Sequence, residues 1–547
     1  MPVPTTGAAV ERSANANARK TIHELARYLT RPLYSFSPPC QDQRCCETLA
    51  VCWCHREGQK KSHYRCGLAV SFLLPVNSPA LFSGALLSRL LSSFWQVKTN
   101  NFSVYLPKTV QRIIVSAVML SQALIRNYKN IKDLSIGFHY AQKKAPNGYA
   151  DLPTHPFIES VGLRLVPCMA LFGPNASGKT SVIQAIASLV LFAQNNPFFH
   201  PLRLFQPYLL KELKPQTTCI GLEWTDREQR FCYVAQVAAD RIVEETLQVG
   251  GMQKFSIHDG EIFLAQADGW EEVEQGMRLQ CFDASTQKQM RAALPVIAAS
   301  FPDFDSAINT AFHSLTTRII YFDQSIPSGV GVRLLADTFD LPTEEERESA
   351  ALALISKYLQ KLDIRIRRIE KEKPTEPLNP LAPEAQLLLP AFAKDKASPA
   401  FSEPEFKTIH QAEDGAEISF SLRMESRGLQ KLFNLLSFLL TAVRTGGTVI
   451  ADDFDAFLHP ALMNEIIKLF QVRDCNTKKA QFIFTLHNPE LLSPDQLSVS
   501  EVAFVSQNGF SGTDIRRLSD FEKERNVNNF RKRYLMGYYG AIPSAFI

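Results

Sequence analysis

Apolar and polar positions change rhythm several times along the chain, and each change marks an element or a boundary. From Met119, the stretch Leu120-Ser121-Gln122-Ala123-Leu124-Ile125-Arg126-Asn127-Tyr128 reads as a first strand. Loose alternation from Ile125 to Phe138, around Asn127-Tyr128-Lys129-Asn130-Ile131, predicts a strand, a turn and a second strand at a sheet edge. Leu163 to Phe172 is a strongly apolar run that ends in a glycine-bearing loop, and Thr180 to Phe192 follows with Val182, Ile183, Ile186 and Val190 on one helical face. Cys219 to Trp224 and Arg230 to Val237, parted by five polar residues, read as a β-hairpin. Strand-like pattern continues to Phe263-Leu264, which makes an antiparallel β subdomain.

From Met277 to Glu370 the pattern turns helical, and Thr343-Glu344-Glu345-Glu346 forms a capping box that opens a helix carrying Leu352, Leu354, Ile355, Tyr358 and Leu359. Seven of the 32 prolines fall between Pro374 and Pro404, so an exposed linker is expected there. Strand and helix alternate again from Glu417 onward, the pattern of an α/β fold with a largely parallel sheet. The expected organisation is an atypical extension over 1–118 and an N-terminal lobe over 119–270. A helical insertion and linker follow over 271–405, and a C-terminal lobe over 406–547. With neither internal repeats nor long heptads, a coiled-coil arm is not expected.

Composition matters mainly because it is uneven. Residues 1–118 hold 14 Lys/Arg against 5 Asp/Glu, so the formal net charge of +4 conceals a body that is mildly acidic. An acidic body lacks the global basic footprint of a nucleic-acid binder and leaves only a local patch open for DNA or RNA. Six of the 11 cysteines, Cys40, Cys45, Cys46, Cys52, Cys54 and Cys66, crowd the same extension, so the body reads as reduced and cytoplasmic.

Three readings compete for the extension. Cys52, Cys54, His55, His63 and Cys66 are zinc-type ligands, but C-x-C-H and H-x-x-C do not make two matched knuckles. Gly67 to Ser88 is uncharged like a membrane segment, yet Pro75, Asn77, Pro79 and several serines lower its hydrophobicity. The preferred expectation is an upstream extension translated in frame, with the working protein starting at Met119, because the preceding stretch sustains no period of 2 or 3.6.

The chemistry sits in the body. Gly173-Pro174-Asn175-Ala176-Ser177-Gly178-Lys179-Thr180 satisfies the P-loop pattern in full, between a predicted strand and a predicted helix, with Ser181 next in line. Such loops wrap phosphates with backbone N–H groups, place the anion at a helix N-terminus, reach the β- and γ-phosphates with the lysine and hold Mg²⁺ through the hydroxyl, here Thr180. Thr448-Val449-Ile450-Ala451-Asp452-Asp453 is an apolar strand ending in two carboxylates, of which Asp452 is the candidate Mg²⁺ ligand. The expected cofactors are ATP and Mg²⁺.

This acid-ended strand resembles a Walker B strand, and Asp453 stands where ABC-type ATPases carry a glutamate that orients the attacking water. A side chain one methylene shorter implies slow hydrolysis. Asp455-Ala456-Phe457-Leu458-His459-Pro460 resembles the D-loop of those ATPases, and Phe482-Ile483-Phe484-Thr485-Leu486-His487-Asn488 resembles their switch-histidine strand, which makes His487 the γ-phosphate candidate. Glu425-Ser426-Arg427-Gly428-Leu429-Gln430-Lys431 resembles their signature motif, implying that Ser426 and Gly428 meet the nucleotide of a second copy. Gln206 is the candidate for the Q-loop.

Together these motifs resemble the ABC/SMC-like AAA-type ATPases of bacterial defence, the abortive-infection and anticodon-nuclease-associated group, over residues 119–547, with Tyr534 to Pro543 similar to their C-terminal tail. The resemblance implies a P-loop NTPase of ABC/SMC type, an ATP-dependent homodimer, and gating of a separately encoded effector such as a nuclease. The chain departs from the family pattern at Asp453 and at Arg427-Gly428-Leu429. A RecF-like DNA-binding repair ATPase is the alternative of another class.

Overall fold

The structure is a computed structural model that describes residues 48–54, 66–73, 117–141, 157–158, 162–195, 204–208, 217–265, 269–324, 326–372, 405–507, 512–521 and 529–542. Two compact units meet in sequence at Ile114/Val115. In the first, β1 (Thr48–Cys54) and β2 (Cys66–Leu73) pair antiparallel with Cys54 opposite Cys66. His55, His63, most of the uncharged run 67–88 and the proline-rich segment 374–404 lie outside the described residues.

The second unit opens with β3 (Met119–Tyr128) and β4 (Ile131–Gly137), then the short pair β5 (Phe157–Ile158) and β6 (Leu163–Arg164). β7 (Cys168–Phe172) leads through the glycine loop into α1 (Lys179–Ala193). Five strands follow: β8 (Thr218–Asp226), β9 (Gln229–Val237), β10 (Ile242–Val249), β11 (Met252–His258) and β12 (Glu261–Leu264). With β3 and β4 they form a seven-stranded antiparallel sheet in the order β12-β11-β10-β9-β8-β3-β4. Strand β9 alternates buried with half-exposed positions, as a sheet with one covered face requires.

Helices α2 (Trp270–Cys281), α3 (Ala293–Ser300) and α4 (Ser306–His313) come next, but the stretch expected to be helical from Met277 to Glu370 is broken by β13 (Ile319–Phe322). Four apolar residues are too few for a period to be read. The tertiary partner decides, since β13 pairs in parallel with β17. Helices α5 (Ser328–Ala336) and α6 (Glu344–Lys361) follow, and α6 opens on the capping box between Thr343 and Glu346. Strands β14 (Arg368–Lys371), β15 (Phe406–Gln411) and β16 (Glu417–Ser421) make a small antiparallel sheet. Phe406 of this sheet packs on Phe433 of α7 (Arg427–Thr445), ring centroids 5.2 Å apart.

The remaining elements are β17 (Thr448–Ala451), α8 (Pro460–Gln471), β18 (Gln481–Leu486), β19 (Val502–Gln507), β20 (Thr513–Arg517) and α9 (Phe530–Leu535). The central sheet runs β13-β17-β18-β7-β19-β20, parallel except for β20. Its strands β7, β17 and β18 are buried at every residue because both faces are covered. Met169, Leu171, Ile450 and Ile483 join a core with α1 and the antiparallel sheet. Their neighbours Ala170, Val449, Phe482 and Phe484 join a second core with α5 to α8. Gln481 knits the lobes, accepting a hydrogen bond from Leu120 N (2.8 Å) and donating to Val166 O (3.0 Å).

Candidate functional site

Strand register alone gathers the candidate residues. Parallel pairing sets Phe172 beside Leu486 and Ala451 beside Phe484, so Gly173, Asp452 and His487 leave the sheet at the same edge. That is the carboxyl end of the strands, where open α/β sheets bind ligands. β18 stands between the P-loop strand and the acid-ended strand.

The loop is built for close approach. At Gly173 a Cβ would lie 2.2 Å from Val505 O, and at Gly178, with φ +105°, it would lie 2.2 Å from Thr513 Oγ1. Ala176 takes a left-handed φ of +62°. Lys179 is 4% exposed, its Nζ donating to the loop carbonyls of Gly173 (2.8 Å) and Pro174 (3.0 Å) and lying 3.4 Å from His487 Nδ1. Burial lowers its pKa, opposed by Asp453, Asp452 and Asp455. Asn175 and Thr180 are exposed, and Ser181 is half-buried in the first turn of α1.

Asp452 and Asp453 share one clasp from the neighbouring strand. Thr485 Oγ1 donates to Asp452 Oδ1 (2.7 Å) and accepts from Asp453 N (2.7 Å). Burial raises the Asp452 pKa, while hydrogen bonds from Thr485 and Thr180 lower it. The bond to Thr180 brings the two candidate metal ligands together. Asp453 Oδ1 lies 3.0 Å from His487 Nε2. An ammonium only donates and a carboxylate only accepts, so a neutral His487 with its proton on Nε2 satisfies both neighbours. Asp455 Oδ2 fixes the turn after β18 by accepting from His487 N (2.8 Å) and Asn488 N (2.6 Å).

Ser426 and Gly428 stand apart from this group. Ser426 is the N-cap of α7, its exposed hydroxyl accepting from Leu429 N (3.3 Å), and Gly428 faces Phe457 O, which a Cβ would approach to 2.7 Å. Gln206 has an exposed side chain, and its carbonyl accepts from Lys129 N (2.9 Å).

Sequence reasoning named the segments that hold Thr485, Asn130 and Lys431 but gave those three residues no part in the site. Thr513 went unnoticed, although its hydroxyl donates to Ser177 O (3.0 Å) and its N–H to Asn130 O (2.9 Å), closing the loop from its far side. The faint available signal was Gly512-Thr513 opening a strand.

These residues fit a magnesium nucleotide. Ser177 Oγ is buried without a hydrogen-bond partner among the described residues, the two glycines leave no room for a Cβ, and Thr180 and Asp452 offer hard oxygen donors side by side. Strand, glycine loop and helix, with a histidine-ended and an acid-ended strand alongside, define a mixed α/β fold with a P-loop.

Comparison with known proteins finds one family model that matches part of the chain. The domain described as "AAA domain, putative AbiEii toxin, Type IV TA system" matches residues 307–493, a stretch that holds the signature-like, Asp452 and His487 segments. Among solved structures, the SmcHead bound to the C-winged helix domain of ScpA is similar at 13% identity, over 73% of this chain and 98% of that one, with a TM-score of 0.36. The SMC head domain from Thermotoga maritima is 14% identical over 73% and 98%, with a TM-score of 0.32. The recombination mediator protein RecF-ATPrS of the RecFOR pathway is 13% identical over the same shares, with a TM-score of 0.31. No curated protein matches the sequence. No helix among the described residues is long and apolar enough to cross a membrane.

Proposed function

We propose that this chain is a cytoplasmic ATPase that binds Mg-ATP, hydrolyses it slowly, closes into a homodimer around it and thereby gates a separate effector in defence against phage. The observation that carries the proposal is the convergence of Lys179, Thr180, Asp452, Asp453 and His487 at one edge of the parallel sheet. The defence role is supported only by the description of the matched domain.

Each residue has a definite task. Backbone N–H groups from Gly173 to Gly178 and the N-terminus of α1 hold the phosphates, and Lys179 adds a positive charge reaching the β- and γ-oxygens. Thr180 and Asp452 hold Mg²⁺, which supplies charge neutralisation at the phosphates when bound. Asp453 accepts a hydrogen bond from the attacking water, while His487 Nε2 steadies its carboxylate. Ser426 and Gly428, at the start of α7, present backbone N–H groups to a partner's nucleotide.

Light scattering and phosphate release on the wild type and Lys179→Ala test this. ATP-dependent dimers with turnover, both lost in the variant, are expected. Monomers that bind no nucleotide would refute the proposal, and salt-dependent affinity for DNA ends would favour the RecF-like alternative instead.

A further inference from the structure

The backbone of Asp453 is held in an unusual way. Its φ of +49° lies in the left-handed region, which is uncommon for a residue with a Cβ, though aspartate enters it more readily than most. The amide N–H is taken by Thr485 Oγ1. The carbonyl is taken by Lys431 Nζ at 2.5 Å, from the second turn of α7. Both polar groups of one residue's backbone are thus bonded to side chains from two different elements.

Lys431 does not act there alone. Gly428, three residues earlier and on the same helical face, lies against Phe457 O at the other end of the 453–457 segment. Phe457 also has a left-handed φ, +64°. The start of α7 therefore grips this segment at both strained ends. Lys431 is 7% exposed, and burial lowers its pKa to about 8 against the pull of Asp455, Asp453 and Asp452. This buried ammonium is directed by its bond to the Asp453 carbonyl and favoured by the charge of the three nearby carboxylates.

We infer that Lys431 is a positioning residue for ATP hydrolysis, which through its bond to the Asp453 carbonyl sets where the Asp453 carboxylate stands. The inference rests on the ATPase reading above. With aspartate where a longer glutamate is usual, placement depends on the backbone, and the twist at Asp453 becomes the element that decides reach. Lys431 itself touches the backbone of Asp453 and is not a catalytic residue. Because it sits one turn behind Ser426 and Gly428, any shift of that helix start is passed to Asp453 in the same chain.

The test compares wild type, Lys431→Met and Lys431→Arg for ATP affinity, kcat and thermal melting. Methionine keeps the length and removes the donor, and arginine restores one. In Lys431→Met we expect kcat to fall about 10- to 100-fold, the loss typical of a misplaced catalytic group. ATP affinity should stay within about twofold, and Lys431→Arg should recover part of the rate. A Lys431→Met kcat equal to that of an active wild type overturns the inference, as does a loss of rate matched by an equal loss of ATP binding or folded protein. A wild type that releases no phosphate overturns the ATPase reading and this inference with it.

Discussion

At the scale of single residues, the site depends on two backbone positions where ordinary side chains do not fit. Gly178→Ala places a Cβ 2.2 Å from Thr513 Oγ1 and 2.9 Å from Asn130 Nδ2 at a φ of +105°. The strain is about 1–3 kcal/mol, so ATP affinity measured by titration should drop roughly tenfold or more. The glycine itself was readable in the sequence because the loop motif demands it. Its neighbour Thr513 was not, since a contact across 336 residues depends on β19 and β20 lying in that order beyond β7. Thr485 is the same case: its hydroxyl reaches Asp452 and Asp453 only because β18 pairs with β17 in this register. Spacing along a chain carries residue types, and register carries their partners.

At the scale of elements, local signals worked where they were long or chemically specific. The capping box at Thr343 is present in α6, with Thr343 Oγ1 accepting from Glu346 N and Glu346 Oε2 accepting from Thr343 N, each at 3.2 Å. Thr343→Ala should cost about 1 kcal/mol, seen as a lower melting midpoint with ATP turnover unchanged. The β8–β9 hairpin and α1 also fall where alternation and helical period place them. β13 escaped because its four residues lie between helices, and only pairing with β17 makes them a strand. Buried polar side chains were equally hidden. Glu245, fully buried, accepts from Ala293 N and Leu294 N and so caps α3, with Tyr233 and Gln289 donating to it as well.

At the scale of the molecule, stability should carry a pH signature from Glu501, far from the nucleotide site. This carboxyl is 1% exposed, accepts from Ser498 N at 2.9 Å, and has its pKa pushed up from 4.5 to about 7 by burial. The folded form keeps a proton that the unfolded chain has already released between those values. The contribution to stability is therefore full below pH 4.5 and is lost as pH rises through 7. The loss is on the order of 3 kcal/mol. Relative to Glu501→Gln, the wild type should melt progressively lower from pH 5 to pH 8, and parallel curves would show that Glu501 ionises normally.

The strand order has a consequence for synthesis. β7, which launches the P-loop, is flanked by β18 and β19, made of residues 481–486 and 502–507, so both neighbours come more than 300 positions later. A ribosome that has translated most of this message holds an apolar strand with neither edge paired, the kind of segment that chaperones shield and that aggregates when they do not. The glycine loop gains its neighbouring strands only once residues 481–507 have emerged, so the proposed nucleotide site assembles late in folding rather than early.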